Sequence, residues 1–294
     1  MLADYLTREE IVGVMRRSDR HAWWAFAVHW GLIAGAIALV IVWPSVLTAA
    51  IAVPVIAGRQ LALGILVHDC AHHALFRRAR TNMVVGQWLA GWPMNIPVAA
   101  YRTYHLAHHR HAGTAKDPDL GFVAAYPVAP AALRRKLWRD ISGQTGWRDL
   151  KATLARFTWG AQGPWLVFHA LLLGVLTLAG APWAYLLWWV ALIFVYPVIM
   201  RLRQIGEHGV VRGRGDPDPR RNTATTLVSW WERLLIAPAH VNWHLEHHVA
   251  PAVPPYRLKR LHALLAARGF QDGFDPPSRG YADVIRRATL RTSA

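Results

Sequence analysis

Sixteen histidines are spread over the 294 residues, and ten of them fall at only four places. Three are short boxes: His68-Asp-Cys-Ala-His72-His73, His105-Leu-Ala-His108-His109 and His244-Leu-Glu-His247-His248. The fourth is a lone His208 in Arg203-Gln-Ile-Gly-Glu-His208-Gly. On a helix, residues at i, i+3 and i+4 share a face, so each box can point several imidazoles the same way. Imidazole-rich sites without thiolates suit iron, zinc, copper or nickel, with iron favoured where O2 is a reactant. Nine ligands, one of them from outside the boxes, are too many for one metal and about right for two. Buried imidazoles crowded together without a metal would repel on protonation and would each need partners. A purely structural role therefore does not account for the boxes.

Other histidines read more plainly. His29, His169 and His262 stand singly and are expected to be satisfied structural residues; His21 and His240 are expected at an interface. His111 suits either a supporting place beside the second box or the surface. Asp69, Asp117, Asp119, Glu207 and Glu246 lie close enough in sequence to accept the N–H of a ligand imidazole and so fix its tautomer. For each of them, an ion pair with one of the many arginines is the competing role. Cys70 is the only cysteine, which excludes an intramolecular disulfide and any multi-cysteine metal site. It lies two residues from His68, on a different helix face, and reads as packing.

The elements that must carry these residues are apolar. Hydrophobic residues make up 54% of the chain and charged ones 17%, with 16 Trp, a residue suited to the water–lipid boundary. Apolar blocks predict spans at about 22–43 and 46–67, separated by Pro44-Ser45, and at about 164–180 and 183–200, separated by Gly180-Ala-Pro182. The stretch 83–100 contains Gly91, Pro93 and Pro97 and reads as interfacial or re-entrant; 227–241 is broken at Pro238. The fold class expected is all-α and integral to a membrane, with four transmembrane helices in two hairpins.

The net charge of +16 could suggest nucleic acid, but its distribution points elsewhere. Apart from Arg59, every Lys and Arg lies in 1–21, 77–160 or 201–294, outside the apolar blocks. Basic segments confined to one side of the spans follow the positive-inside pattern, which places both termini and the boxes in the cytoplasm. No nucleic-acid partner is expected. The polar N-terminus lacks a signal-peptide pattern and reads as a short amphipathic helix. Arg59, inside a span, should face the bundle interior, either toward substrate or headgroup or toward a backbone carbonyl.

Boxes of the form H-x3-H-H, H-x2-H-H and H-x2-H-H, ordered around paired hairpins, resemble those of the membrane fatty-acid desaturase family. The surrounding text agrees: Tyr104-His-Leu-Ala-His-His-Arg-His111 with Asp117-Pro-Asp119 after it, and Val241-Asn-Trp-His-Leu-Glu-His-His248 leading to Pro254-Pro-Tyr256. The similarity covers about residues 22 to 265. It implies a single domain over 1–294 whose cytosolic helical cap holds a di-iron site. It implies His68, His72, His105, His108, His109, His208, His244, His247 and His248 as iron ligands, with His73 a further candidate because some relatives space the first box one residue wider. Where some relatives place an Asn holding an iron-bound water, this chain has Gln204.

The resemblance also implies two iron ions, O2 as cosubstrate and hydrogen abstraction from an unactivated C–H bond of a fatty acyl chain or acyl lipid. Loss of a second hydrogen gives a double bond. A hydroxylase, or a ketolase of the carotenoid-modifying kind, shares the boxes and the first step. Electrons must come from a separate ferredoxin- or cytochrome-type donor with its reductase, because no haem segment, rubredoxin-type motif or G-x-G-x-x-G fingerprint is present. The implied location is the inner membrane of a bacterium. A metal transporter would keep its ligands near the bilayer midplane, unlike boxes at span ends.

Overall fold

The computed structural model describes residues 1–213 and 215–289. Its described residues are mostly helical, and four helices are long and apolar enough to cross a membrane: Asp19–Val42, Val46–Ala71, Trp159–Leu178 and Pro182–Gly209. The first two are separated only by Trp43–Ser45, where Ser45 accepts the Thr48 N–H as an N-cap. The third begins earlier than the hydropathy alone predicts, because Thr158 caps it and Pro164 is accommodated inside. The fourth runs on to Gly209. Two π-helical turns, Ala191–Val195 and Ile205–Gly209, keep it helical beyond Met200, so His208 lies within it rather than past its end.

The second of these helices is the centre of the fold. Of its most apolar stretch 72% is buried, against 33%, 17% and 33% for the other three in chain order. The third presents Leu171, Val175 and Leu178 outward, an apolar surface that water would penalise and lipid would not. Gly58 lets the second helix approach the short helix Trp230–Leu235 closely: a Cβ there would stand 2.7 Å from the Leu235 carbonyl oxygen. The adjacent Arg59 is buried and donates to the carbonyls of Arg233 and Leu234, with His29 Nδ1 3.2 Å from its guanidinium. Arg59 thus caps the end of that helix, which is the backbone-carbonyl role rather than a substrate contact.

The segment 83–100 forms no span-length helix. It is a short helix, Ala79–Gly86, a π turn, Gln87–Gly91, and an irregular stretch up to Pro97. Gln87 then accepts the Val98 N–H at 2.9 Å and starts the helix Val98–His111, which carries the second box. The third box occupies a helix of six residues, His244–Val249. Its approach is set by Asn242, whose side chain donates to the Thr226 carbonyl while its own carbonyl accepts the Thr226 N–H, both at 3.0 Å. Thr226–Leu227 pairs in parallel with Ser278–Arg279, tying the end of the described chain to the same place.

Candidate metal centre

Four separate pieces of chain deliver histidines to one buried region, where nine imidazoles fall into two groups. His68, His72, His105, His109 and His247 form one; His108, His208, His244 and His248 form the other. Within each group, one ligand atom per residue lies within 4.8 Å of all the others, so each group could hold a metal ion. The division follows helix geometry. In every box the i, i+4 pair stays together (His68 with His72, His105 with His109, His244 with His248). The residue at i+3, His108 or His247, crosses to the other group.

The nitrogen positions fit a cation better than they fit a hydrogen-bond network. His109 Nε2 lies 3.0 Å from Nε2 of both His105 and His247, and His244 Nε2 lies 3.0 Å from that of His208. With a metal–nitrogen bond of about 2.1 Å, two ligands at right angles stand about 3.0 Å apart. His68 and His108 direct Nδ1 to Asp69 and Asp117 at 2.8 and 2.7 Å, and His208 directs Nδ1 to the Asn222 carbonyl at 3.0 Å. These partners accept a hydrogen bond from Nδ1–H, so each of the three Nε2 atoms presents a lone pair inward. Converging lone pairs repel unless a cation lies between them. The Nε2 atoms of His68 and His72 are also buried without a hydrogen-bond partner among the described residues, a costly arrangement that a metal would relieve.

Burial favours the neutral form of these rings. It lowers the pKa of His72 to about 3 and of His109 to about 2, with nearby cations and imidazoles adding to the shift. Burial also pushes His105, His244, His247 and His248 well below the ordinary imidazole value. Neutral imidazole is the form that ligates metal, so no proton has to leave at neutral pH before a metal binds.

A cavity of about 230 Å³ opens against the centre, lined by His105, His108, His208 and His244 and by Met200, Arg203 and Gln204 of the fourth span-length helix. Gln204 thus faces the same cavity as four of the nine imidazoles. His73 does not: it stands outside both groups, in a turn with φ 55° that ends the first box. His111 is likewise outside them.

Residues 41–274 match the family model described as fatty acid desaturase. The chain belongs to the fatty acid desaturase family. It is 32% identical to a beta-carotene ketolase of Paracoccus sp. (strain PC1) over 213 residues, which cover 68% of this chain and 74% of the relative. It is 26% identical to the dihydrorhizobitoxine desaturase of Bradyrhizobium elkanii, over 71% and 65% of the two chains. With an sn-1 oleoyl-lipid 12-desaturase of Synechocystis sp. the identity is 25%, over 67% and 62%.

In this desaturase-family chain, the acids near the boxes divide by what they touch. Asp69 and Asp117 accept hydrogen bonds from ring nitrogens, and Asp117 also accepts the N–H groups of Gly113 and Asp119. Asp119 approaches His108 only to 3.6 Å and accepts the Tyr104 hydroxyl. Glu207 lies 3.6 Å from His244 Nδ1 and takes both its oxygens to Arg203 at 2.6 Å. Glu246 touches no imidazole of the two groups. It sits between His244 and His247 on the short helix, so it points away, to Thr225 at 2.5 Å and His262 at 2.6 Å. Cys70 is buried against Gly86, as packing requires.

Sequence reading passed over Tyr101, whose ring is stacked on His105 with centroids 5.3 Å apart, and the carbonyl of Asn222. Tyr101 lies four residues before His105, and that spacing was a usable signal. A carbonyl contributed by a residue fourteen positions from His208 leaves no trace in sequence.

Proposed function

We propose that this chain is an O2-dependent di-iron oxidase of the membrane that attacks an unactivated C–H bond of a lipophilic substrate and desaturates a fatty acyl chain or acyl lipid. The five-plus-four division of nine converging imidazoles carries this reading. In it, His68, His72, His105, His109 and His247 hold one iron, and His108, His208, His244 and His248 hold the other. The bound irons supply O2 activation and the oxidising power to remove hydrogen from an aliphatic carbon. Desaturation then consumes one O2, two electrons, two protons and two substrate hydrogens, and releases two waters.

The protein's own part is positioning. Asp69, Asp117 and the Asn222 carbonyl hold three rings by Nδ1, while Glu207, clamped by Arg203, stands beside a fourth. In this reading the cavity reaching Met200 and Arg203 admits the substrate, and Gln204, which lines it, holds a metal-bound water.

The same reading treats residues 1–294 as one domain with two hairpins, the boxes in a cytosolic cap and the protein in a bacterial inner membrane. In its support, the C-terminal ends of the second and fourth helices both bring histidines to one centre, so both must emerge on one face. The basic segments lie at that end of the helices. A separate ferredoxin- or cytochrome-type carrier with its reductase supplies the electrons.

A second reading, oxygenation to an alcohol or ketone, is favoured by the ketolase relative, whose 32% identity exceeds that of the two desaturases described above. The test is lipid profiling by mass spectrometry of aerated cells, with and without β-carotene synthesis, expressing wild type or His247→Ala. A product lighter by two hydrogens, found only with wild type, supports desaturation. A gain of oxygen moves the assignment to the second reading. Products unchanged in both backgrounds would sink the two together.

A further inference from the structure

Six of the nine imidazoles are buried; His72, His109 and His248 are the three that reach solvent. His109 and His248 belong to different groups, yet their rings lie nearly parallel, 19° apart, with centroids separated by 4.2 Å. Their Nε2 atoms turn toward other imidazoles, and their Nδ1 atoms have no hydrogen-bond partner among the described residues. Both rings line a cavity of about 290 Å³ together with Met1, Arg110, Thr114 and Asn222.

That cavity differs in kind from the one of about 230 Å³ lined by His105, His108, His208 and His244. The latter includes residues of the fourth span-length helix, whereas none of the walls of the former belongs to a span-length helix. A substrate arriving from lipid has the first route, and the second is left to a partner in water. Charge narrows the partner. Arg220 and Arg221 are matched by Asp218 and Asp216 at 2.6 and 3.3 Å, and the Met1 ammonium by Asp4 at 3.2 Å. Arg110 is exposed and has no acidic partner among the described residues, and exposed Lys116 follows it.

We propose that this cavity is where an acidic one-electron carrier docks, drawn by Arg110, and that electrons enter through the exposed edges of His109 and His248. The inference rests on the redox reading above. Each carrier leaves oxidised by one electron and the metal pair is reduced by one, with no proton required to cross the interface. Two such deliveries supply what one O2 turnover needs. Because the stacked rings come from both groups, a single docking place serves either metal.

The test uses the full iron-loaded chain in lipid nanodiscs, reduced anaerobically in a stopped-flow instrument by a plant-type [2Fe–2S] ferredoxin or by dithionite. In Arg110→Glu, the ferredoxin rate relative to the dithionite rate should fall on the order of tenfold at low ionic strength, and the difference should shrink in high salt. Arg110→Lys should recover most of it. An unchanged ratio in Arg110→Glu, or an equal loss in Phe122→Trp, a residue that lines the cavity of about 230 Å³, overturns the proposal. In the metal-free protein, a benzoylphenylalanine photo-crosslinker at position 114 should capture ferredoxin, and one at position 122 should not. If dithionite reduces nothing, the di-iron reading has failed on its own account. Crosslinking at 122 in preference to 114 would mean that the docking face is wrong.

Discussion

The two imidazole groups are held by different means. The group of five draws His68 and His72 from the end of the most buried helix, but among the described residues only His68 has its Nδ1 hydrogen-bonded, to Asp69. The group of four takes its single span-borne ring, His208, from a π-helical turn, a local geometry that recurs at functional sites. Three of its four rings have an outer partner: Asp117 for His108, the Asn222 carbonyl for His208 and, at 3.6 Å, Glu207 for His244. One group has an additional imidazole, and the other has more of its rings oriented from behind. The contrast suggests that a metal site can obtain rigidity either from the number of its donors or from what stands behind them.

Removing one ring from each group tests this most strongly. His72→Ala leaves four imidazoles and should retain about two irons per chain, whereas His208→Ala leaves three and should fall to about one. Metal analysis of the purified proteins separates the cases. Activity should be lost in His208→Ala by more than the roughly 100-fold that loss of an outer partner costs. Equal iron in both variants would break the comparison.

The next effect is on stability. Glu207→Gln leaves Arg203 charged and only partly exposed without its counter-ion, a change that costs up to about 3–5 kcal/mol, the figure for a fully buried pair. A lowered thermal midpoint in detergent would show it, and Arg203→Met combined with Glu207→Gln should recover part of the loss. Behind the rings, Asp117→Asn should weaken metal binding by about 100-fold and Asp69→Asn by about 10-fold. The difference follows from their contacts: Asp117 also holds the loop at Gly113 and Asp119, while Asp69 Oδ2 has no hydrogen-bond partner among the described residues. Chelator competition measures both, and a larger effect at Asp69 would reverse the ranking.

Much of this centre was legible in the sequence, and the reasons are physical. Spacing of four places two rings one above the other on a helix, so the three i, i+4 pairs could be read directly. That His108 and His247 cross to the opposite groups could not, because it depends on how separate helices meet. Hydropathy found four spans but ended the last at Met200, since a window of apolar residues cannot register a helix that carries Arg203, and Glu207 in a π turn, onward as a mutually neutralised pair. Glu246 was expected behind a box imidazole because it lies within the box, and helix rotation turns it to His262 instead. Arg59 needed Gly58, and the close approach of a helix some 175 residues away, before its role could be assigned.

Acid separates burial from ligation. An unfolded imidazole titrates near 6.5, roughly, whereas burial holds folded His72 and His109 at about 3 and about 2. Between those values the unfolded chain binds more protons, so stability is full above pH ~6.5 and declines as pH falls toward 3. Because the folded rings stay neutral through that range, iron should leave together with helicity in an acid titration. Release of iron near pH 6 from a fully helical protein would contradict the burial of the groups.

The smallest effect is expected at His73, which the resemblance admits as a tenth ligand and which the fold leaves outside both groups. Its φ of 55° makes alanine a poor probe, since an ordinary side chain is strained there and any loss could be backbone cost. Asparagine tolerates that conformation, so His73→Asn removes the imidazole while keeping the turn. Stability should change by no more than about 0.5 kcal/mol, as at a site without special contacts, and iron per chain should stay at the wild-type value. A fall in iron with an intact turn would make the first group a set of six, and the contrast between donor number and ring orientation would have to be drawn again from that number.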